Sequence, residues 1–172
     1  MDYSKLGFAS GFFTFLIVFI VIGIINKKKN KNSNQYDERQ EYLRGKGYKI
    51  ALYVHLFGDS FLFAFNKIGI LKYIEIDLAM IAILFLSTAV FTVYCIFNDC
   101  FFTLKERPKS YLIFALLMGI FNFVIAIGDL NEWIDDGKIY GAGVVNFYAG
   151  ITFLIVSVSI IIKLLMDRKE VD

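Results

Sequence analysis

Apolar and polar positions fall in long blocks along this chain, not in the short periods of a soluble fold. Apolar blocks occupy 6–26, 50–71, 78–98, 111–128 and 141–162, with short polar connections between most of them. Each is long enough, at about 1.5 Å of helical rise per residue, to cross a hydrocarbon core. The pattern predicts an all-α integral membrane protein with five transmembrane helices, one membrane domain over 1–172. The single long polar stretch, 27–49, predicts a cytoplasmic segment carrying a short amphipathic helix.

Composition agrees with the blocks. Apolar types make up 58% of the 172 residues, against roughly 45–50% in soluble chains. The net charge of +2 says little; its distribution says more. With five spans and the N-terminus outside, inner segments hold fourteen Lys and Arg residues, eight in 27–49, three in 99–110 and three in 163–172. Outer segments hold four, Lys5, Lys67, Lys72 and Lys138. The opposite orientation reverses that ratio, so the positive-inside rule predicts N-out and C-in. The basic run follows the first apolar block instead of preceding it, which predicts a retained helix and not a cleaved signal. Lys27, Lys28, Lys29 and Lys31 are then expected to meet anionic lipid headgroups.

The polar segment holds the densest patterning. Asp37 with Gln40 three residues later predicts a capping box at a helix start. Glu41 and Arg44 share a face, and Tyr42 and Lys46 fall on neighbouring turns. Gly45 and Gly47 predict either a bend into the span or a close approach of another backbone. Asp37-Glu38-Arg39-Gln40 followed by Arg44-Gly45-Lys46 resembles a loosely defined group of small, uncharacterised multi-pass membrane proteins of Gram-positive bacteria. Their D-E-R-Q and R-G-K motif lies on the cytoplasmic side of a transmembrane helix, and the resemblance covers about 36–52. It implies a bacterial plasma-membrane protein partnered with a small helix-turn-helix regulator. Asp37, Glu38, Arg39, Gln40, Tyr42, Arg44, Lys46 and Tyr48 are the expected partner-binding set, and Arg39→Glu or Arg44→Glu is expected to abolish function without loss of protein. An amphipathic linker resting on headgroups is the alternative for the same residues.

The second block is the most polar of the five. His55, Asp59 and Asn66 share a helical face with Leu62. An ionisable pair in a span is expected to face the bundle interior, where it relays protons or holds an ion, or bonds to Asn122, Thr92 or Ser87 as interhelical glue. His55, Asp59, Asn66 and Asn122 are thus the candidates for a small transporter or ion pathway.

Other chemistry is thinly represented. One His and two Cys, Cys95 and Cys100, provide neither a zinc set nor a disulfide framework. The acidic stretch with Asp129, Glu132, Asp135 and Asp136 lacks the glycine placement of a calcium loop and reads as a solvated connection, with Trp133 an interfacial anchor. No phosphate loop or nucleophile motif is present. The expectation is a non-enzymatic protein without metal or cofactor, bound to lipid and to a cytoplasmic protein, able to self-associate, and not in direct contact with nucleic acid.

Overall fold

In the computed structural model of the chain, the described residues are 36–71, 74–103, 106–129, 134–135, 138–139 and 141–169, with Val21. The chain divides into two units, Met1–Gln35 and Tyr36–Asp172, and the described residues, Val21 apart, belong to the second. The first apolar block and Lys27, Lys28, Lys29 and Lys31 lie outside the described residues.

Among the described residues four helices carry the fold: α1 (Glu38–Lys67), α2 (Ile76–Phe97), α3 (Pro108–Gly128) and α4 (Ala142–Lys169). Packing joins α1 to α2, α2 to α4 and α4 to α3, so the row runs α1, α2, α4, α3. Short connections make each successive pair antiparallel. One end of the row, here the clamp end, gathers the start of α1, the α2–α3 connection and the end of α4. At the other, β1 (Ile134–Asp135) and β2 (Lys138–Ile139) form a two-stranded antiparallel ribbon. Ile74 bridges to Ile139, and the Glu75 N–H donates to the Ile139 carbonyl at 3.4 Å. The ribbon ties the α1–α2 connection to the α3–α4 connection, where the sequence reading expected only a solvated loop.

Helix ends depart most from the apolar blocks at the start of α1 and the end of α4. The expected short helix and the span at 50–71 are one continuous helix from Glu38 to Lys67. Gly47 does not break it, because the missing side chain lets α2 close in. A Cβ there would lie 3.0 Å from Tyr94 Cδ1, 3.1 Å from Cys95 Sγ and 3.2 Å from Phe91 Cδ2. Gly58, three turns on, repeats the approach, with Ile83 Cγ2 at 2.8 Å from the equivalent point. What comes close at Gly47 is a set of α2 side chains and not another backbone, and Gly45 faces open space. Pro108 starts α3 at its first turn, where its missing N–H costs nothing. α4 continues past 162 to Lys169, and within this extension Lys163 pairs with Asp167 one turn on at 3.0 Å. Charge ends an apolar block without ending the helix.

Three of the described helices are long and apolar enough to cross a membrane: Ile76–Phe97, Pro108–Gly128 and Gly143–Arg168, at mean hydropathies of 2.4, 2.3 and 2.3. α1 is not among them, since His55, Asp59 and Asn66 dilute its apolar part. Of the four expected spans that fall on described residues, three are such helices, and the first, 6–26, lies outside them; this is a helical membrane-type architecture.

The distribution of side chains is inside-out. On α3 the buried positions are Ala115, Gly119, Asn122 and Ala126, all small or polar. Its outer face exposes Ile113, Leu117, Ile120, Phe121, Val124 and Ile127. Such a surface is untenable in water but matches lipid tails, and small buried residues let helices approach closely. The Phe123 ring sits on Gly150 of α4, within 2.9 Å of where a Cβ would be. The buried serine hydroxyls are satisfied within their own helices: Ser87 donates to Leu84, Ser157 to Phe153 and Ser159 to Ile155.

Candidate interaction face

The clamp end is built around residues 98–102. α2 terminates in a Schellman motif, in which the Cys100 N–H donates to the Cys95 carbonyl at 2.9 Å and the Asp99 N–H to Ile96 at 3.3 Å. The left-handed residue is Asp99, at φ 56°, where glycine is usual. Its side chain explains the choice: the carboxylate meets Lys163 Nζ of α4 at 2.9 Å. The motif leaves the carbonyls of residues 99–102 pointing towards α1, and α1 provides their donors.

Asp37 caps α1, accepting from the Gln40 N–H at 2.6 Å, and Gln40 Oε1 accepts from the Asp37 N–H at 3.3 Å. The box predicted from the sequence is present. Gln40 does more, because its Nε2 donates to the carbonyls of Asp99 at 2.7 Å and Phe102 at 3.3 Å, and the residue is buried. One turn on, Arg44 Nη1 reaches the carbonyls of Cys100 at 3.3 Å and Phe101 at 3.5 Å. Its guanidinium stacks on the Tyr36 ring at 4.2 Å, and Nη2 donates to the Tyr48 hydroxyl at 3.4 Å. The Tyr36 hydroxyl donates to the Phe101 carbonyl at 3.3 Å. Burial, against the opposing pull of Arg44, pushes the Tyr36 phenol up, so it stays protonated and able to donate. Tyr48 stacks on Phe91 of α2, ring centres 4.4 Å apart.

The rest of the connection is fixed by Glu106. It accepts from the Tyr111 hydroxyl and, at 2.8 Å, from the Thr103 N–H. These bonds, Tyr111 first, hold its carboxyl below the usual range despite some burial. Cys95 and Cys100 are fully buried free thiols in the floor of the clamp.

The structure therefore divides the expected partner-binding set. Asp37, Gln40, Arg44 and Tyr48 are engaged within the molecule. Arg44 turns to the α2–α3 connection and makes no ion pair with Glu41 among the described contacts. Glu38, Arg39, Glu41, Tyr42, Lys46 and Lys49 are exposed. At 100° per residue, Arg39, Tyr42, Lys46 and Lys49 share a face opposite Gln40 and Gly47. The expected neighbours Tyr42 and Lys46 meet there, with the ammonium 4.7 Å from the ring centre. Heptad-like spacing of Gln40 and Gly47 was the signal that could have separated the two faces; the acceptors in a connection some 60 residues away could not be read.

His55 and Asp59 do pair, Nε2 to Oδ2 at 3.4 Å, both side chains about one-third exposed. His55 Nδ1 and Asp59 Oδ1 are inaccessible and find no hydrogen-bond partner among the described residues. The expected glue is not made. Asn122 donates to Met118 in its own helix at 2.8 Å, on α3 at the far end of the row from α1, and Ser87 bonds locally. Asn66 is exposed near the end of α1. The four residues are not brought together.

Between α2, α3 and α4 lies an apolar cavity of about 440 Å³ lined by residues that include Phe85, Thr92, Phe114 and Phe153, with Phe101 and Tyr111 towards the clamp end. Among the described residues no group of three His, Cys, Asp or Glu side chains could hold a metal ion. No protein-family model, curated protein or solved structure matches the chain.

Proposed function

We propose that this chain is a five-span protein of the bacterial plasma membrane, N-terminus outside, that docks a cytoplasmic protein such as a small transcription regulator. The docking surface is the free face of the first three turns of α1: Arg39, Tyr42, Lys46 and Lys49, flanked by Glu38 and Glu41. One observation carries the reading: these turns are clamped by Gln40 and Arg44 on one side and left open on the other. A surface already held in place binds without the cost of ordering, and an aromatic beside basic side chains is the composition of an interface anchor. The orientation is supported by the clustering of basic residues at the clamp end, where Arg39, Arg44, Lys46, Lys49, Arg107, Lys109, Lys163 and Arg168 lie.

The test is photocrosslinking in intact cells from positions 39 and 46, which avoid the clamp. A single recurrent soluble protein, lost in Arg39→Glu/Lys46→Glu at unchanged membrane level, is the expected result. Adducts only to lipid or to the protein's own helices overturn the docking role.

A second reading is favoured by the orphaned atoms His55 Nδ1 and Asp59 Oδ1, since inaccessible polar atoms without partners are costly and mark functional sites in membranes. It makes the pair a proton or ion relay. Asp59→Asn is then expected to abolish a pH-dependent flux into liposomes, and the absence of wild-type flux rejects it.

A further inference from the structure

At the clamp end, α3 and α4 leave between them an open groove of about 370 Å³ lined by Lys109, Leu112, Ile113, Ile161, Leu164, Leu165 and Arg168. Leu112 and Leu164 are half-buried and form its floor; Ile113, Ile161 and Leu165 are exposed and form its walls. The cations flank the mouth from opposite helices, Lys109 in the first turn of α3 and Arg168 in the last turn of α4. Both lie where the apolar stretches Pro108–Gly128 and Gly143–Arg168 end, the level of lipid phosphates. Among the described residues no carboxylate lines the groove. The nearest in sequence, Asp167, is held by Lys163, which also binds Asp99. The start of α3 has no side-chain cap, so its positive end adds to the field at the mouth.

We infer that this groove binds one anionic phospholipid, its phosphate bridged by Lys109 and Arg168 and the first part of an acyl chain lying on Leu112, Leu164 and Ile161. From Arg168 to Ile161 the groove runs about 10 Å along the helix, enough for the upper half of a chain, and the rest continues over the lipid-facing surface. Charge complementarity selects the occupant. A zwitterionic lipid brings its own cation to a mouth that already has two, and a free phosphate leaves the apolar floor uncovered. The proposal does not depend on the docking role of α1. It fixes α3 against α4 close to the Asp99–Lys163 contact.

Native mass spectrometry of the full chain, released from vesicles of equal phosphatidylglycerol and phosphatidylcholine, tests this. Wild type is expected to retain one phosphatidylglycerol in preference to phosphatidylcholine, with no displacement by excess glycerol phosphate. Two headgroup contacts of ordinary strength correspond to about a thirtyfold loss of that preference in Lys109→Gln/Arg168→Gln. Lys109→Arg retains it. Ile113→Trp, which fills the groove and leaves both charges, also loses the bound lipid, and Lys46→Gln does not. Equal retention of both lipids, an unchanged preference in the double variant, displacement by glycerol phosphate, or a lipid-free dimer with the groove covered by a second copy overturns the proposal.

Discussion

Gln40 offers the sharpest perturbation, because one side chain serves two structures. Its Oε1 completes the α1 cap, and its Nε2 provides donors to the Asp99 and Phe102 carbonyls of the α2–α3 connection. Gln40→Ala removes three hydrogen bonds, two of them long at 3.3 Å. At about 1 kcal/mol net for a bond of ordinary geometry and less for a long one, with a further cost for carbonyls left without donors, the loss is roughly 2–3 kcal/mol. Gln40→Glu keeps an acceptor for the Asp37 N–H but loses both donors and sets a carboxylate against two carbonyls, so it should be no milder. Arg39→Ala, one residue away on the exposed face, should stay within about 0.5 kcal/mol of wild type. The assay is equilibrium unfolding in mixed micelles of rising SDS fraction, followed by helical circular dichroism. A Gln40→Ala variant as stable as wild type, or an Arg39→Ala variant equally damaged, would refute the division of this motif into a clamped and a free face.

Two further outcomes follow from neighbouring geometry. Gly150→Ala should destabilise by about 1–3 kcal/mol because the Phe123 ring occupies the space of its Cβ, and Gly119→Ala should be tolerated, since the nearest atoms to its Cβ lie at 3.5 Å; the same unfolding assay compares them. Glu106 has a folded pKa below its ordinary 4.5, so its contribution is complete above that value and is lost as pH falls through the folded one. Exchange of the Thr103 amide, corrected for intrinsic rate, should therefore accelerate on acidification below the usual glutamate range, and Glu106→Gln should remove most of that dependence.

The lipid groove and the free face of α1 lie at the same end of the row. Asp99 and Lys163 connect them: Asp99 offers its carbonyl to Gln40 on α1 and its carboxylate to Lys163 on α4. Asp99 also tolerates a left-handed backbone, which a larger apolar side chain at this position would not.

What the sequence determined was everything that depends on local pattern. Block lengths and apolarity gave helices of membrane length, and Asp37 with Gln40 gave the cap, because a capping box is closed within four residues. Tyr42 and Lys46 were placed together by helical periodicity alone, as were His55 and Asp59. The ribbon between 134 and 139 was not read, because the acidity of the stretch pointed to a plain loop. Helix ends were misplaced at the start of α1 and the end of α4, where charge closed an apolar block, because hydropathy reports the solvent around a helix and not its hydrogen bonds. The tertiary structure decided which members of the polar motif face inward. Gln40 and Arg44 look like their neighbours in sequence, and only the approach of α2 at Gly47 and the carbonyls released by the Schellman turn at Asp99 turn them into internal donors. It also decided that Lys109 and Arg168 flank one groove. Two cations some 60 residues apart on separate helices share a ligand only when the packing of α3 on α4 sets them across a common mouth.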